Sequence, residues 1–432
     1  LLPSVPTITG EDPAGTPLPV GVIADPDGLT TELVANELLL TTDDPQVLAA
    51  FVARWNAQIA LAEPDDDGPE TTYFAVIDTT RAHAEALPAL LSELDNRPYG
   101  THRTSSPMVR ELLAAAAEST LASLDVDLEW LVRDDALTGP FVERTITEGN
   151  DASGEFVGSN PFYWPQMQTG GVWNTGVAEA WRLLELAGML EQSITVGIVD
   201  RGFHEGADWP PNSSSRSVRD RFDPFQESPD DEPWHGSRVV GSGFGQVNND
   251  SGAAGPGGPV SRLISTFRGM GTSGTVKAIQ DLDDEARIIN MSFHVESPKI
   301  AGCWARRMKK AIEKAHEDGV LFFAAAGNDH LDVDAEDCAL GKCWERRLFY
   351  PCELDHVSCV GGLTWGLTGR NLNSNYGDES VDVWASHWQF SDPNPTDAVS
   401  DFEIVRGTSF STPFTAGIAT LVWAANPDAT AN

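Results

Sequence analysis

The chain has 432 residues, more than one domain usually contains, and 41% of them are hydrophobic, so at least two domains with real cores are expected. Its 65 acidic and 28 basic residues give a net charge of −37, which argues against nucleic acid and anionic membranes as partners. The acidity is compatible with simple solubility, with adaptation to high salt or with cation binding, and the chain contains no apolar run of about 18 residues that would span a membrane.

The first 160 residues predict a loose arm, a small domain and a linker. Residues 1–35 are rich in Pro, Gly and Asp and predict the arm. Residues 36–140 alternate in the order β-α-β-β-α, which is typical of a small α+β, ferredoxin-like domain. The Asp-, Gly- and Thr-rich residues 141–160 predict the linker. The predicted strands cover 37–42, 58–63 and 71–79, and the predicted helices cover 45–56, 82–94 and 107–124.

Residues 161–432 predict a larger α/β domain. Its strands are rich in Val, Ile and Phe and nearly unbroken, as strands buried on both faces are. Together with the intervening helices they predict a doubly wound, mostly parallel sheet. The chain stops in what looks like the lead-in to another helix, so we expect this domain to be C-terminally incomplete. The predicted strands cover 193–199, 262–267, 287–292, 320–325, 357–361 and 381–384, and the predicted helices cover 177–187, 236–244, 303–318 and 412–425.

All the cysteines lie in the second half of the chain: Cys303, Cys338, Cys343, Cys352 and Cys359. They do not form two CxxC pairs, so a zinc site is not expected. One or two disulfides among the last four, with one thiol left over, would be typical of an extracellular protein. Reduced, buried thiols are the alternative.

The segment Gly407–Gly417 places a serine, Ser409, directly before a helix-forming apolar run. A serine at a helix N-terminus lies among unpaired backbone N–H groups and at the positive end of the helix dipole. Such a site can stabilise an oxyanion, so Ser409 is a candidate nucleophile if another segment supplies a base. Ser411, in the same segment, is the rival candidate.

Three more residues lie where chemistry is expected in a doubly wound sheet, at or after the carboxyl ends of strands. Asp200 ends a predicted strand, and Asn328 follows another in a Gly-Asn pair. His235 precedes a glycine, which permits close approach of another backbone, and a small-residue helix follows. Taken singly, Asp200 and Asn328 are equally well explained as turn residues and His235 as a solvated loop histidine. The other eight histidines have no comparable setting.

Taken together, in the order Asp, His, Asn, Ser, these signals are specific, and the chain resembles the subtilisin-like serine proteases (subtilases). The resemblance spans roughly residues 160–432. It implies a subtilisin-like catalytic domain and a family cis peptide at Tyr350–Pro351. The segments that carry it are Val196–Gly202, His235–Ser237, Ile289–Ser292, Ala325–Asn328, Ser374–Gly377, Val381–Ala385 and Gly407–Pro413.

The resemblance implies a role for each of these residues. Ser409 is the nucleophile, His235 the general base and acid, and Asp200 the residue that orients the imidazole. The amide of Asn328 and the backbone N–H of Ser409 form the oxyanion hole, and the chemistry requires no cofactor. Sedolisin-like relatives carry Glu in place of the histidine, and α/β-hydrolase esterases use a different motif and chain order, so both are disfavoured.

The implied substrate is a polypeptide that binds as an extended strand beside two segments of the domain. One segment is 291–293 and the other is 269–274. Many relatives have Leu-Gly after the residue equivalent to Ser292, whereas this chain has Phe293 and His294. His294 is expected either to crowd the first specificity pocket, to favour acidic side chains, or to point to solvent. The residues assigned to substrate binding are Ser292, Phe293, His294, Gly269, Gly271 and Gly274.

A structural calcium ion is the one metal that the resemblance suggests. Asn248, Asn249 and Asp250 resemble a loop that holds calcium in some subtilases, through amide and carbonyl oxygens. The basic residues of 306–314 are expected to form only a solvated helix face.

Subtilases are made with a ferredoxin-like propeptide that assists folding and inhibits the active site. Residues 36–140 are similar in pattern, which implies an intramolecular inhibitor and an uncleaved precursor, or zymogen. We expect self-cleavage within 135–160. The resemblance and the cysteines imply a secreted, extracellular protein whose signal peptide is not present in this sequence. The alternative is a catalytically silent or regulatory binding protein on the same fold, held shut by its N-terminal domain.

Overall fold

The computed structural model of the protein contains two large sheets, each covered by helices. Among the described residues, no helix is both long enough and apolar enough to cross a membrane. The described residues are 18–24, 30–65, 68–81, 84–95, 103–104, 106–134, 175–190, 192–217, 234–247, 249, 252–267, 271–298, 305–339, 342–345, 347–391 and 403–431.

The elements of the N-terminal part, up to residue 134, build the first sheet and its helices, except for the last strand, which pairs with a strand of the C-terminal part. They are β1 (Val20–Ala24), β2 (Thr30–Thr42), α1 (Pro45–Trp55), β3 (Gln58–Pro64), β4 (Thr71–Val76), a 3₁₀ turn (Ala84–Ala86), α2 (Leu87–Asp95), β5 (Arg103–Thr104), α3 (Pro107–Leu121), β6 (Asp125–Trp130) and β7 (Arg133–Asp134). The strand order is β3-β4-β2-β1-β5, β6 also pairs with β2, and every pair is antiparallel. The succession β2-α1-β3-β4-α2 follows the predicted β-α-β-β-α order, α3 is the further helix expected at 107–124, and β6 was not predicted.

Local signals account for the helices of this part. The Asp44 carboxylate accepts the backbone N–H of Gln46 at 2.7 Å and precedes a proline, which together begin α1. Ser106 caps α3 in the same way, through the backbone N–H of Val109 at 3.4 Å. The buried side of α3 is rich in alanine at 114–117, so this helix packs closely on β2 and β6.

The remaining elements build the second sheet and its surroundings. They are α4 (Val177–Leu186), β8 (Ile194–Asp200), β9 (Ser214–Ser217), α5 (His235–Phe244), β10 (Ser261–Phe267), α6 (Thr272–Gln280), β11 (Ile288–Met291), β12 (Phe293–Pro298), α7 (Arg306–Glu317), β13 (Leu321–Ala325), β14 (Glu336–Ala339), β15 (Lys342–Glu345), β16 (Arg347–Tyr350), β17 (Val357–Leu363), β18 (Val383–Ser386), β19 (Trp388–Ser391), β20 (Glu403–Arg406) and α8 (Thr408–Ala425). The order is β18-β17-β13-β11-β8-β10-β9, with every pair parallel. The doubly wound, mostly parallel sheet is therefore confirmed.

Two differences from the sequence-based elements concern the N-terminal arm and α6. Residues 20–24 and 30–35, assigned by composition to the loose arm, form β1 and the start of β2 because Ile23 and Leu33 are buried in the same core as α3 and Val22 is buried as well. α6 was not predicted, since Thr, Ser and Gly open it and are weak helix formers. The predicted linker 141–160 lies outside the described residues.

The basic face of α7 is only partly solvated, because it pairs with carboxylates of the N-terminal part: Arg307 is 16% exposed, whereas Arg306 and Lys310 stay 45% and 57% exposed. Arg307 lies 3.2 Å from Glu63, and Arg306 and Lys310 each lie 3.3 Å from Asp125. Lysine and arginine on α7 thus meet carboxylates that come from more than 180 positions earlier in the chain. Sequence spacing alone could not reveal this pairing.

The cysteine region contains a disulfide between Cys352 and Cys359. Cys338 lies opposite Cys343 in the antiparallel pair β14–β15. The first cysteine of the chain lies outside the described residues. The Tyr350–Pro351 peptide bond is cis, as the resemblance implied.

Candidate functional site

A buried aspartate–histidine pair lies at the carboxyl end of the central strand β8. Asp200 is the last residue of β8, and His235 is the first residue of α5. The distance from His235 Nδ1 to Asp200 Oδ1 is 2.7 Å, and neither side chain is exposed. Because an ionised carboxylate only accepts hydrogen bonds, Nδ1 of His235 carries the proton and Nε2 carries the lone pair. The imidazole therefore has the tautomer of a general base.

Ser409 lies in the first turn of α8, after Gly407 with φ at +137°, a value that side chains disfavour. The Ser409 hydroxyl donates to the backbone carbonyl of Ser292 at 3.0 Å. The Ser292 hydroxyl in turn donates to the backbone carbonyl of Ser409 at 2.7 Å. Pro413, four residues on, has no N–H for that carbonyl, so Ser292 replaces the missing helical bond.

Close contact between α5 and α8 brings their first turns together. A Cβ added to Gly243 would lie 2.3 Å from the backbone oxygen of Pro413, and one added to Gly417 would lie 2.4 Å from the Gly243 oxygen. Only glycine permits this approach. At the other end of the contact, the ring of Phe410 lies 5.7 Å from the imidazole of His235. The imidazole is thus adjacent to the turn that carries Ser409.

The rival serine, Ser411, faces a different surface. Its hydroxyl donates to the backbone carbonyl of Ser386 at 3.0 Å, at the end of β18. The hydroxyl of Ser409 instead lies at the junction of β11 and β12, beside the edge where a substrate strand is expected. This geometry favours Ser409 over Ser411 as the reacting group.

Asn328 lies just after β13 and is held by its oxygen. Its Oδ1 accepts the backbone N–H of Thr408 at 3.0 Å and lies 3.0 Å from Nε2 of His387. Since a backbone N–H only donates, the atom that faces Thr408 is the oxygen, and the amide nitrogen lies at the other end of the planar group. This carboxamide is therefore hydrogen-bonded to the residue directly before Ser409.

Both segments that were expected to bind a substrate strand pair instead with residues of the N-terminal part of this chain. In the antiparallel pair β7–β12, Phe293 lies opposite Asp134 and His294 lies opposite Arg133. Just before this pair, Leu131 forms an antiparallel bridge with Gly271. Residues 131–134 therefore run between the two edges, in the place where the resemblance expects a substrate strand.

Not every residue that was predicted to bind substrate lies on such an edge. Gly274 lies in the first turn of α6, because residues 272–280 are helical, and it cannot pair with an extended peptide. Gly269 lies outside the described residues.

His294 is buried, at 2% exposure, so the expectation that it points to solvent is wrong in this conformation. A Cβ added to Gly327 would lie 3.3 Å from its ring, and its Nε2 lies 4.0 Å from Asp329. The ring therefore fills space beside the Gly-Asn turn, which favours crowding of the pocket. The adjacent carboxylate of Asp329 disfavours an acidic substrate side chain there.

A possible metal-ligand group includes His294, Glu296 and Asp329, whose ligand atoms lie within 4.8 Å of one another. The guanidinium of Arg347 lies 2.9 Å from Glu296, and both are buried. Arg347 already supplies the positive charge that this carboxylate requires, so the group is better explained as an ion pair than as a cation site.

The predicted calcium loop is only partly described, because Asn248 and Asp250 lie outside the described residues. The amide nitrogen of Asn249 donates to Asp208 at 3.0 Å. Asp208 also accepts the backbone N–H of Ala253 at 2.7 Å. Asp208 is thus hydrogen-bonded to both Asn249 and Ala253. The calcium site stays a prediction.

Sequence reasoning missed His387, which it grouped with histidines of no particular setting. His387 is fully buried and directly follows β18, so it lies at the carboxyl end of a parallel strand like the other candidate residues. Burial, with the nearby charge of Arg406, lowers the pKa of His387 to about 4. Its position after the strand predicted at 381–384 was the signal that could have found it.

Comparisons with known proteins agree with this geometry. A family model described as the subtilase family matches residues 191–432. The chain is 29% identical over 251 residues to a halolysin-like extracellular serine protease, Nep, of Natrialba magadii, which covers 55% of this chain and 41% of that protein. It is 25% identical over 249 residues to subtilisin Savinase of Lederbergia lenta, covering 56% of this chain and 80% of Savinase.

The match spans 41% of the halolysin-like protease and 56% of the M-protease of Shouchella clausii, so much of their length has no counterpart in the matched region. Among solved structures, it resembles a mutant of the epidermin leader peptide processing serine protease from Staphylococcus aureus. That likeness has a TM-score of 0.57 at 13% identity and covers 91% of each chain, so it concerns the fold alone.

Proposed function

Because this chain belongs to the subtilase family, we propose that it is a serine endopeptidase that hydrolyses peptide bonds through an acyl-enzyme. The observation that carries the proposal is the buried Asp200–His235 pair beside the helix turn that holds Ser409. A carboxylate, an imidazole with Nδ1 protonated and a serine at a helix N-terminus are the components of a nucleophilic triad.

In the proposed mechanism, the Ser409 hydroxyl turns from the Ser292 carbonyl to Nε2 of His235 and attacks the scissile carbonyl. His235 takes the hydroxyl proton and then donates it to the leaving amine, while Asp200 stabilises the imidazolium. Asn328 and the backbone N–H of Ser409 donate to the oxyanion. Water then attacks the acyl carbon as His235 takes one of its protons, the bond to Oγ of Ser409 breaks, and His235 returns the proton to that oxygen as the acid product leaves.

We also propose that the N-terminal part inhibits this site within the same chain. Residues 131–134 pair with β12 and bridge to Gly271, and so occupy the strand position that a polypeptide substrate needs. Their pairing is supported by two carboxylates on β6. Glu129 accepts the backbone N–H of Ser273 at 3.1 Å, at the start of α6.

The second carboxylate, Asp127, serves α7 in the same way. It accepts the backbone N–H groups of Arg306 and Arg307 at 3.2 and 3.0 Å. Each carboxylate thus satisfies the unpaired donors of a helix N-terminus and meets the positive end of its dipole. These contacts fix β6, and through it the strand that fills the cleft.

Self-cleavage within 135–160 would convert this precursor into a two-chain enzyme. We expect purified wild-type chain to split into two bands on a denaturing gel, whereas Ser409→Ala stays one band and loses about 10⁶-fold of its peptidase activity. Ser411→Ala is the matched control and should still split. A Ser409→Ala chain that splits, or a wild type that never splits, would contradict the proposal.

The filled cleft also suits a regulatory binding protein in which the catalytic groups are never used. That second candidate predicts no hydrolysis of labelled casein by wild type, even after added protease has removed the N-terminal part. Hydrolysis that depends on Ser409 would exclude it.

We place the protein outside the cell. Two similar proteins are named as extracellular proteases, and the Cys352–Cys359 disulfide is typical of oxidising compartments. Labelling of intact cells with a membrane-impermeant reagent, followed by detection of this chain, would test that location.

A further inference from the structure

We infer that His387 is a positioning residue that holds the Asn328 carboxamide in the orientation required of an oxyanion donor. The inference rests on the proposed function, in which the amide nitrogen of Asn328 stabilises the oxyanion. It concerns a residue that takes no part in the proton transfers of the triad.

The direction of the hydrogen bond follows from its neighbours. Oδ1 of Asn328 accepts the backbone N–H of Thr408 at 3.0 Å, which identifies this atom as the oxygen. The same oxygen lies 3.0 Å from Nε2 of His387, so His387 must donate to it. The imidazole therefore carries its proton on Nε2, the opposite tautomer to that of His235.

Two donors on one oxygen restrict rotation of the carboxamide. Because the group is planar, an oxygen fixed towards Thr408 and His387 turns the amide nitrogen of Asn328 to the opposite side. Without the N–H of His387, the carboxamide would lose one of the two donors described for its oxygen and would rotate more freely. A donor that must lie about 3 Å from a developing charge loses its effect when it moves by about 1 Å.

The fold holds His387 firmly in this position. Its backbone N–H donates to the Leu363 carbonyl at 3.0 Å, and its carbonyl accepts the N–H of Gly407 at 2.9 Å. A Cβ added to Gly362 would lie 2.4 Å from the imidazole, so the glycine there provides the space for the ring. His387 is thus anchored to the backbone turn that precedes Ser409.

The environment also keeps the imidazole neutral. Its Nδ1 is buried and has no hydrogen-bond partner among the described residues, so a second proton there would be unsatisfied. Burial, and then the charge of Arg406, hold the pKa of His387 near 4, well below neutral pH. A neutral ring with one proton donates from Nε2 alone, which gives the carboxamide a single orientation.

The test compares two substitutions at His387 in two backgrounds, with turnover of a peptide p-nitroanilide as the readout. His387→Phe keeps a ring but removes the donor, and should lower kcat about tenfold while KM stays within about twofold. His387→Gln keeps an N–H donor and should recover part of that loss. In an Asn328→Ala background, His387→Phe should lower kcat no further, because the donor that it positions is gone.

Three results would overturn the inference: an equal loss of kcat in both backgrounds, a Gln variant no better than Phe, or no loss at all. The proposed function fails separately, if Ser409→Ala keeps its activity or Asn328→Ala alone leaves kcat unchanged.

A second measurement does not depend on activity. Imidazole ¹⁵N spectra of the full Ser409→Ala chain, assigned by difference from the same chain with His387→Phe, should show His387 protonated at Nε2 and not at Nδ1. A proton on Nδ1 at neutral pH would contradict the proposed hydrogen bond.

Discussion

The two sheets of this molecule each place a buried aspartate at an interface, but they give it different partners. Asp200, in the parallel sheet, binds the imidazole of His235 and the backbone N–H of Arg201, each at 2.7 Å. Asp127, in the antiparallel sheet, instead accepts the backbone N–H groups at the start of α7.

This difference separates chemistry from docking. An imidazole gains and loses a proton at moderate pH, so a carboxylate beside it can stabilise a charge that appears during a reaction. Backbone N–H groups never change protonation, so a carboxylate beside them can only hold two surfaces together. We therefore assign Asp200 to the reaction and Asp127 to the attachment of the N-terminal part.

The largest expected contrast comes from replacing each aspartate by asparagine. Asp200→Asn favours the wrong tautomer of His235, and should lower kcat about 10⁴-fold. Asp127→Asn should not lower the kcat of the intact chain below that of wild type, since the hydrogen bonds described for Asp127 go to the start of α7. Turnover of a peptide p-nitroanilide is measured for each variant as the intact chain, because release of the N-terminal part would remove Asp127 itself, and Asp200→Asn is measured again after that release. Equal losses in both variants would remove the distinction between the two aspartates.

The next largest effect concerns Glu129, which helps to attach the N-terminal part to the start of α6. Glu129→Ala removes the cap of α6, and we expect hydrogen exchange at residues 131–134 to become about tenfold faster. Exchange is measured by mass spectrometry in the Ser409→Ala chain, which cannot cleave itself. Glu118→Ala, which removes an exposed carboxylate of the same sheet's helix, is the control and should change nothing there. Unchanged exchange in Glu129→Ala would show that this cap does not hold the strand in the cleft.

A smaller effect is the pH dependence of the attachment of the N-terminal part, which follows from the pKa of Asp127. Burial raises the pKa of Asp127 from its ordinary 3.8 to about 6, although the backbone N–H groups of Arg307 and Arg306 oppose the rise. Asp127 therefore binds a proton more tightly when the N-terminal part is attached than when it is released. The stabilisation of the attached state by this protonation is fully present below about pH 3.8 and is lost as pH rises through about 6.

We therefore expect tighter attachment at pH 5 than at pH 7.5. Hydrogen exchange at 131–134, corrected for intrinsic exchange rates, should be slower at the lower pH in the Ser409→Ala chain. Asp127→Asn should flatten this difference. A pH difference that Asp127→Asn leaves intact would assign it to other groups.

The smallest effect concerns the support of Ser409 in its helix. Ser292→Ala leaves the Ser409 carbonyl without its hydroxyl donor next to Pro413, and should lower the free energy of unfolding by about 1–3 kcal/mol. Urea denaturation measures the change.

A matched control is available for this substitution. Ser411→Ala should cost less, because the Ser386 carbonyl that Ser411 serves also accepts the amide of Gln389 at 3.1 Å. If the two variants lose equal stability, the Ser292 hydroxyl does not replace the missing helical bond.

The sequence predicted the parallel sheet and the places of Asp200, His235, Asn328 and Ser409, because each belongs to a short motif at a strand or helix end. These motifs encode local backbone geometry, which a single segment can specify. The role of each residue stays a prediction, since it depends on reactivity that only the variants above can measure.

Features that depend on distant contacts could not be predicted from the sequence. Three contacts join segments far apart in the chain: the pairing of 133–134 with β12, the ion pairs of the basic α7 face and the contact of His387 with Asn328. No local pattern marks them: β7 has two residues, and α7 has the ordinary pattern of a surface helix. β1 was missed for a similar reason, since its five residues become a strand by pairing with β2.

Labelling with a fluorophosphonate, mapped by mass spectrometry of the digested protein, tests most directly whether Ser409 is the nucleophile of a guarded site. We expect one modified residue, Ser409, with slow labelling of the intact chain and faster labelling once the N-terminal part has been removed. Modification of Ser411 instead, or no modification even after that removal, would contradict this expectation.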